Sequence, residues 1–80
     1  MKKVKQFSKE GCAPCKAIAP TLSLLEEAGL IELEYIDVEV PSNSEYLTKY
    51  NVRGVPTLIC EGKTLVGLKS EREIKETFGL

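Results

Sequence analysis

Eighty residues leave room for one domain, spanning 1–80, built on a small core. With 42% hydrophobic and 29% charged residues the composition is that of an ordinary globular chain, and a formal net charge of -1 offers no basic excess to displace counterions from phosphates, which excludes a nucleic-acid partner. No apolar run approaches the roughly 18 residues a membrane span needs, and no apolar stretch follows Met1-Lys2-Lys3 as a secretory leader requires, so a cytoplasmic protein is expected.

Val4 to Phe7 reads as a short strand, with Lys2, Lys3 and Lys5 as solvated charges along it. Gly11 and Pro14 then punctuate the chain. From Cys15 the pattern is helical: Ile18, Leu22 and Leu25 fall on one face, Pro20 interrupts the backbone bonding, and Gly29 suits the position just past the helix end. Ile31 to Val38 is a second strand, stopped by Pro41. Ser42 with Glu45 predicts a capping box for a short helix ending near Tyr50. Thr57 to Cys60 and Lys63 to Val66, separated by Glu61-Gly62, predict an antiparallel hairpin. Ser70 with Glu73 predicts a second capping box, opening a last helix that buries Ile74 and Phe78.

The predicted order is β-α-β-α-β-β-α, an α/β fold. The first two strands should be parallel, joined by a right-handed helical crossover, with the hairpin adding an antiparallel edge. The sheet is expected to have four strands in the order 2-1-3-4, mixed, with helices on both faces. The C-terminal end of the first strand then lies where the strand order reverses, the place such sheets bind ligands.

Chemistry centres on Cys12-Ala13-Pro14-Cys15. There are three cysteines and no histidine. Cysteines three apart at a helix start are close enough to close a disulfide after a small adjustment. The unpaired N–H groups and positive end of the helix favour a thiolate on Cys12 and should lower its pKa; Lys16 adds a charge nearby. Cys12, outside the first turn, is expected to be the better exposed and to attack, with Cys15 resolving. A zinc site is the competing use of a CxxC, but zinc takes four ligands, and Cys60 offers only a third thiolate. No metal is expected, and Cys60 reads as a buried strand thiol. The tyrosines read as packing, and Glu26, Glu27, Glu32 and Glu34 as a solvated face.

Three segments resemble the thioredoxin family. Cys12-Ala13-Pro14-Cys15-Lys16-Ala17-Ile18-Ala19-Pro20 is similar to its redox motif and the helix that follows. Lys49-Tyr50-Asn51-Val52-Arg53-Gly54-Val55-Pro56-Thr57-Leu58 is similar to the segment leading to its cis-proline. Val66-Gly67, with Ser70 opening the last helix, adds a weaker match. The resemblance implies a cis Val55–Pro56 bond facing the cysteines, with Val55 offering its backbone to the substrate chain and Pro56 shaping the groove. Gly11, Ala13 and Pro14 would complete the substrate surface. It implies a thiol–disulfide oxidoreductase that reduces protein disulfides with no cofactor beyond the Cys12–Cys15 disulfide. Its partners would be disulfide-bearing proteins and a reductase of the thioredoxin-reductase kind, and it would act as a monomer. Gly11 stands where the family usually has tryptophan, Ala13 where it has glycine, and Gln6 where it has a buried aspartate. The family's first strand and helix have no counterpart here, which brings the architecture near the minimal glutaredoxin-like core. A glutathione-dependent glutaredoxin is therefore one alternative, and a non-catalytic binding module on the same fold is another.

Overall fold

The computed structural model describes residues 1–80. The chain runs through β1 (Lys2–Ser8), α1 (Ala13–Glu27), β2 (Ile31–Asp37), a 3-10 turn at Pro41–Asn43, α2 (Ser44–Lys49), β3 (Thr57–Cys60), β4 (Lys63–Val66) and α3 (Glu71–Phe78). The four strands form one sheet in the order β2-β1-β3-β4, as expected. β1 and β2 are parallel, with Val4 opposite Leu33 and Phe7 opposite Ile36. β3 runs antiparallel to both β1 and β4.

Alternation along the strands sorts the core into two layers. Val4, Ile31, Leu58 and Cys60 face one side, where they meet Ile18, Leu22 and Leu25 of α1 and Ile74 and Phe78 of α3. Phe7, Ile36 and Ile59 face the other, against Leu47 of α2 and the Tyr50–Val55 segment that follows it. Helices therefore cover both faces. Fully burying each large aliphatic or aromatic side chain contributes about 1.5–3 kcal/mol, so these two layers carry most of the fold's stability.

The ends of α1 explain where the sheet begins and where it resumes. Pro14 sits in the first turn, where a missing N–H costs nothing. At the other end Gly29 adopts φ +77°, and its N–H and that of Leu30 donate to the carbonyls of Glu26 and Leu25 at 3.0 and 3.1 Å. This pair of bonds closes the helix and turns the chain straight into β2. In the hairpin, Glu61 and Gly62 both take positive φ, 50° and 81°, the geometry of a two-residue turn matched to strand twist.

Three local expectations are corrected. β1 is longer than its apolar stretch, because Lys2 and Lys3 pair with Ile31 and Glu32 of the neighbouring strand. The Ser42–Glu45 capping box does not form: Pro41 opens a 3-10 turn, and neither it nor α2 has a side-chain cap. By contrast, Ser70 accepts a hydrogen bond from the Glu73 N–H at 3.1 Å and caps α3. Lys2 is also not a free surface charge. Its ammonium donates to the Phe78 carbonyl at 2.7 Å and pairs with Glu61.

Candidate active site

β1 ends at Ser8, and a short turn through Gly11, at φ +73°, delivers Cys12 to the start of α1. Cys12 occupies the N-cap with extended backbone. Its sulfur accepts a hydrogen bond from the Cys15 N–H at 3.2 Å, doing the work a serine or aspartate oxygen does at other helix starts. The Cys12 carbonyl accepts from the Lys16 N–H at 3.1 Å. Cys12 and Cys15 are joined as a disulfide, with Cα atoms 5.2 Å apart. No acidic side chain lies in the first turn of α1, so the positive end of the helix is not offset there.

The second wall comes from the segment entering β3. The Val55–Pro56 bond is cis, as the resemblance implies. The Thr57 hydroxyl donates to the Gly54 carbonyl at 2.6 Å, and the Gly67 N–H donates to the Pro56 carbonyl at 2.8 Å. These two bonds hold the turn from both sides. The Val55 carbonyl oxygen then lies 3.9 Å from the Cys12 sulfur. The structure thus brings Cys12, Cys15, Val55 and Pro56 together, with Gly11, Ala13 and Pro14 exposed around them.

Cys12 is the more accessible of the pair, as expected, though by little: it is 7% accessible and Cys15 4%. The Val55 carbonyl approaches its sulfur from 43 residues away in the chain. Cys60 is 1% exposed in the core beneath α1 and α3, as expected of a buried strand thiol. Burial pushes its thiol up from the ordinary 9.0, and the Glu61 carboxylate adds to the shift. No group of three or more His, Cys, Asp or Glu side chains gathers in reach of one metal ion.

Gln6 and Lys16 lie beside the pair as the sequence placed them, and other neighbours were not foreseen. Gln6, 7% exposed, and Ser8 line a small pocket with Cys15, Lys16, Glu10 and Tyr35. Tyr35 is 57% exposed at its mouth rather than packed in the core. Glu34 is not simply solvated. It hydrogen-bonds Lys5 at 3.2 Å, and this contact raises the Lys5 ammonium above its ordinary value despite partial burial. Leu68 is 57% exposed, one residue after the Gly67 contact to Pro56. The Thr57–Gly54 bond has a local signal, a threonine hydroxyl three residues from its partner. The Gly67–Pro56 bond follows only from the register of the hairpin.

Comparison with known proteins agrees with this geometry. The thioredoxin family model matches residues 2–78. The chain is 36% identical to the thioredoxin of Bacillus subtilis (strain 168) over 70 residues, 81% of this chain and 67% of that one. It is 37% identical to the thioredoxin of Streptomyces clavuligerus over 68 residues, 79% of this chain and 63% of that one. It is 42% identical to thioredoxin C-2 of Corynebacterium nephridii over 48 residues, 60% of this chain and 44% of that one. These matches thus span between 44% and 67% of the relatives' own lengths. A mutant thioredoxin from Halobacterium salinarum NRC-1 superposes with a TM-score of 0.80 at 30% identity, covering 96% of this chain and 71% of that one. Mitochondrial thioredoxin 3 of Saccharomyces cerevisiae, at 22% identity, shares the fold with a TM-score of 0.78, covering 99% of this chain and 78% of that one. With its CxxC at the first helix start and its proline turn opposite, the chain belongs to the thioredoxin family.

Proposed function

We propose that this chain is a thiol–disulfide oxidoreductase that reduces protein disulfides through a Cys12/Cys15 dithiol cycle. The observation that carries the reading is the disulfide at the N-terminus of α1, its Cys12 sulfur 3.9 Å from the Val55 carbonyl. In the reduced state the Cys12 thiolate attacks one sulfur of a substrate disulfide. That S–S bond breaks, one substrate sulfur leaves as a thiolate and takes a proton, and the other stays bonded to Cys12. Cys15 gives up its proton and attacks the Cys12 sulfur, which releases the second substrate thiol. The two electrons gained by the substrate are those lost by the cysteine pair.

Each neighbour has a role in this reading. The N-terminal field of α1 and the Cys15 N–H stabilise the Cys12 thiolate. Val55 offers its carbonyl to the substrate backbone, and Pro56, Gly11, Ala13 and Pro14 form the surface on which the substrate rests. Gln6 has no acidic proton to exchange, so the Cys15 proton passes to water reaching the pocket it shares with Gln6. The cycle uses no cofactor beyond the disulfide itself. Electrons come from a reductase of the thioredoxin-reductase kind, in keeping with the family and with Ala13-Pro14 between the cysteines. The protein acts as a monomer in the cytoplasm, where such a reductase keeps the pair reduced. No helix is long and apolar enough to cross a membrane.

Turnover of insulin disulfides with dithiothreitol tests the reading. The chain accelerates the reaction, Cys12→Ser abolishes it, and Cys15→Ser accumulates a mixed disulfide on Cys12. A chain that leaves insulin unreduced at the background rate is a binding module instead.

A further inference from the structure

Beside Cys15 lies an open cavity of about 240 Å³, walled by the end of β1, the turn after it, the start of α1 and Tyr35 of β2. It is the one cavity of the structure that touches the cysteine pair. A water takes up about 30 Å³, so several fit. Gln6 and Ser8 line this cavity while only 7% and 4% exposed. Neither side chain hydrogen-bonds another protein group, yet no polar side-chain atom of the structure is sealed away unpaired. Their amide and hydroxyl therefore open into the cavity, where each can hold a water.

Lys9, Glu10, Lys16 and Tyr35 complete the polar wall. Lysine and tyrosine side chains carry their protons at neutral pH, and an amide takes none up. Glu10 is thus the one group on the wall suited to accept a proton. Its carboxylate is free, because the ion pairs of the structure engage Glu32, Glu34, Glu61, Glu71 and Glu76. A carboxylate at the buried place of Gln6 would be stripped of water, whereas exposed Glu10 keeps its hydration.

We propose that Glu10 accepts the Cys15 proton in the resolving step, through water that Gln6 and Ser8 hold in position. This rests on the oxidoreductase reading and deepens it at the step where the mixed disulfide is resolved. The Cys15 S–H gives its proton to the held water as that water gives one to Glu10. The Cys15 thiolate forms its bond to the Cys12 sulfur and the bond from Cys12 to the substrate breaks. The substrate sulfur leaves with that electron pair as a thiolate. Glu10 returns the proton to solvent, from which the leaving thiolate is protonated. Lys9 and Lys16 favour the charged form of Cys15 as it appears.

The test mixes the whole reduced chain with excess dithiobis(nitrobenzoate). One thionitrobenzoate is released as Cys12 attacks and a second as Cys15 resolves, and the second phase does not depend on reagent concentration. Glu10→Gln slows that phase about tenfold at neutral pH, less than a placed base usually supplies, because bulk water reaches the mouth. A purely electrostatic role acts in the opposite sense: removing an anion eases ionisation of the thiol and speeds the phase. In the variant the phase climbs about tenfold per pH unit between about pH 6 and 8, as hydroxide takes over, and in the parent it climbs less steeply. Added formate restores much of the rate in Glu10→Ala and leaves the parent unchanged, and sodium chloride at equal ionic strength does neither. Gln6→Leu is also slow, and formate does not restore it; Ser8→Ala takes its place if Gln6→Leu fails to fold. A Glu10→Gln second phase within about twofold of the parent's, or faster, overturns the role of Glu10, as does a Glu10→Ala protein that ignores formate. If that happens while the parent still releases two thionitrobenzoates, the relay fails and the oxidoreductase stands. If the parent releases only one, the dithiol cycle fails as well.

Discussion

Replacing Lys2 by Met tests how the ends of the chain are joined. Lys2 begins β1, yet its ammonium donates to the Phe78 carbonyl at 2.7 Å, across 76 positions in sequence. Phe78 ends α3, where a carbonyl has no helical partner. A hydrogen bond from a charged donor at a partly buried position is worth about 1.5 kcal/mol. The cation at the helix C-terminus adds about 0.3 kcal/mol beyond that bond. The contact to Glu61 at 3.1 Å joins side chains 34% and 64% exposed, and contributes no more than about 0.3 kcal/mol. Methionine keeps most of the apolar stem. The loss is therefore about 1.5–2 kcal/mol in urea denaturation at constant m, or about 6–16 °C in Tm for a domain of this size. Lys3→Met is the control: Lys3 lies 3.8 Å from Glu32 with both side chains mostly exposed, and its loss should cost under about 0.3 kcal/mol. The site lies at the other end of β1, so insulin reduction below the transition should persist. A Lys2→Met protein within about 0.5 kcal/mol of the parent, or level with Lys3→Met, refutes this account of the α3 terminus.

Alkaline pH should expose the buried thiol. The folded-state pKa of Cys60 is raised, so the unfolded chain ionises first; the stability this contributes is whole below about 9.0 and is lost as pH climbs toward the folded value. Cys60→Ala should flatten the fall in urea stability above that pH, and an unchanged slope contradicts the burial argument. Lys5, also raised, loses its contribution only above its ordinary 10.5, a later window. The two serine signals should separate cleanly in thermal melts. Ser70→Ala costs about 1 kcal/mol through its lost cap, and Ser42→Ala costs a few tenths at most. Equal losses at the two positions contradict the assigned caps.

What the sequence made legible was local. The spacing of Ile18, Leu22 and Leu25, the Glu61-Gly62 turn and the Ser70 cap each depend on neighbours a few residues away, and each formed. Handedness made the parallel β1–β2 crossover legible, but does not by itself choose β1 as the edge the hairpin joins. The contacts that were not legible join distant segments. The Cys12 sulfur meets the Val55 carbonyl, 43 residues away in the chain. Lys2 is tied to α3 by the closing of the whole fold. Ser42 misled for a different reason. Its Ser-x-x-Glu pattern was present, but Pro41 set a 3-10 turn ahead of α2 and displaced the cap. The proline directly before Ser42, absent before Ser70, is the local difference between the two serines.

The measurement that bears most directly on the central claim is an equilibrium redox titration of the chain, with each state mapped by mass after alkylation. The account predicts one reversible two-electron couple, carried by Cys12 and Cys15, with Cys60 remaining a free thiol throughout. A potential near about −270 mV fits a reductase-fed donor, and one near about −200 to −230 mV points to glutathione instead. No reversible couple, or one in which Cys60 takes part, contradicts the dithiol cycle.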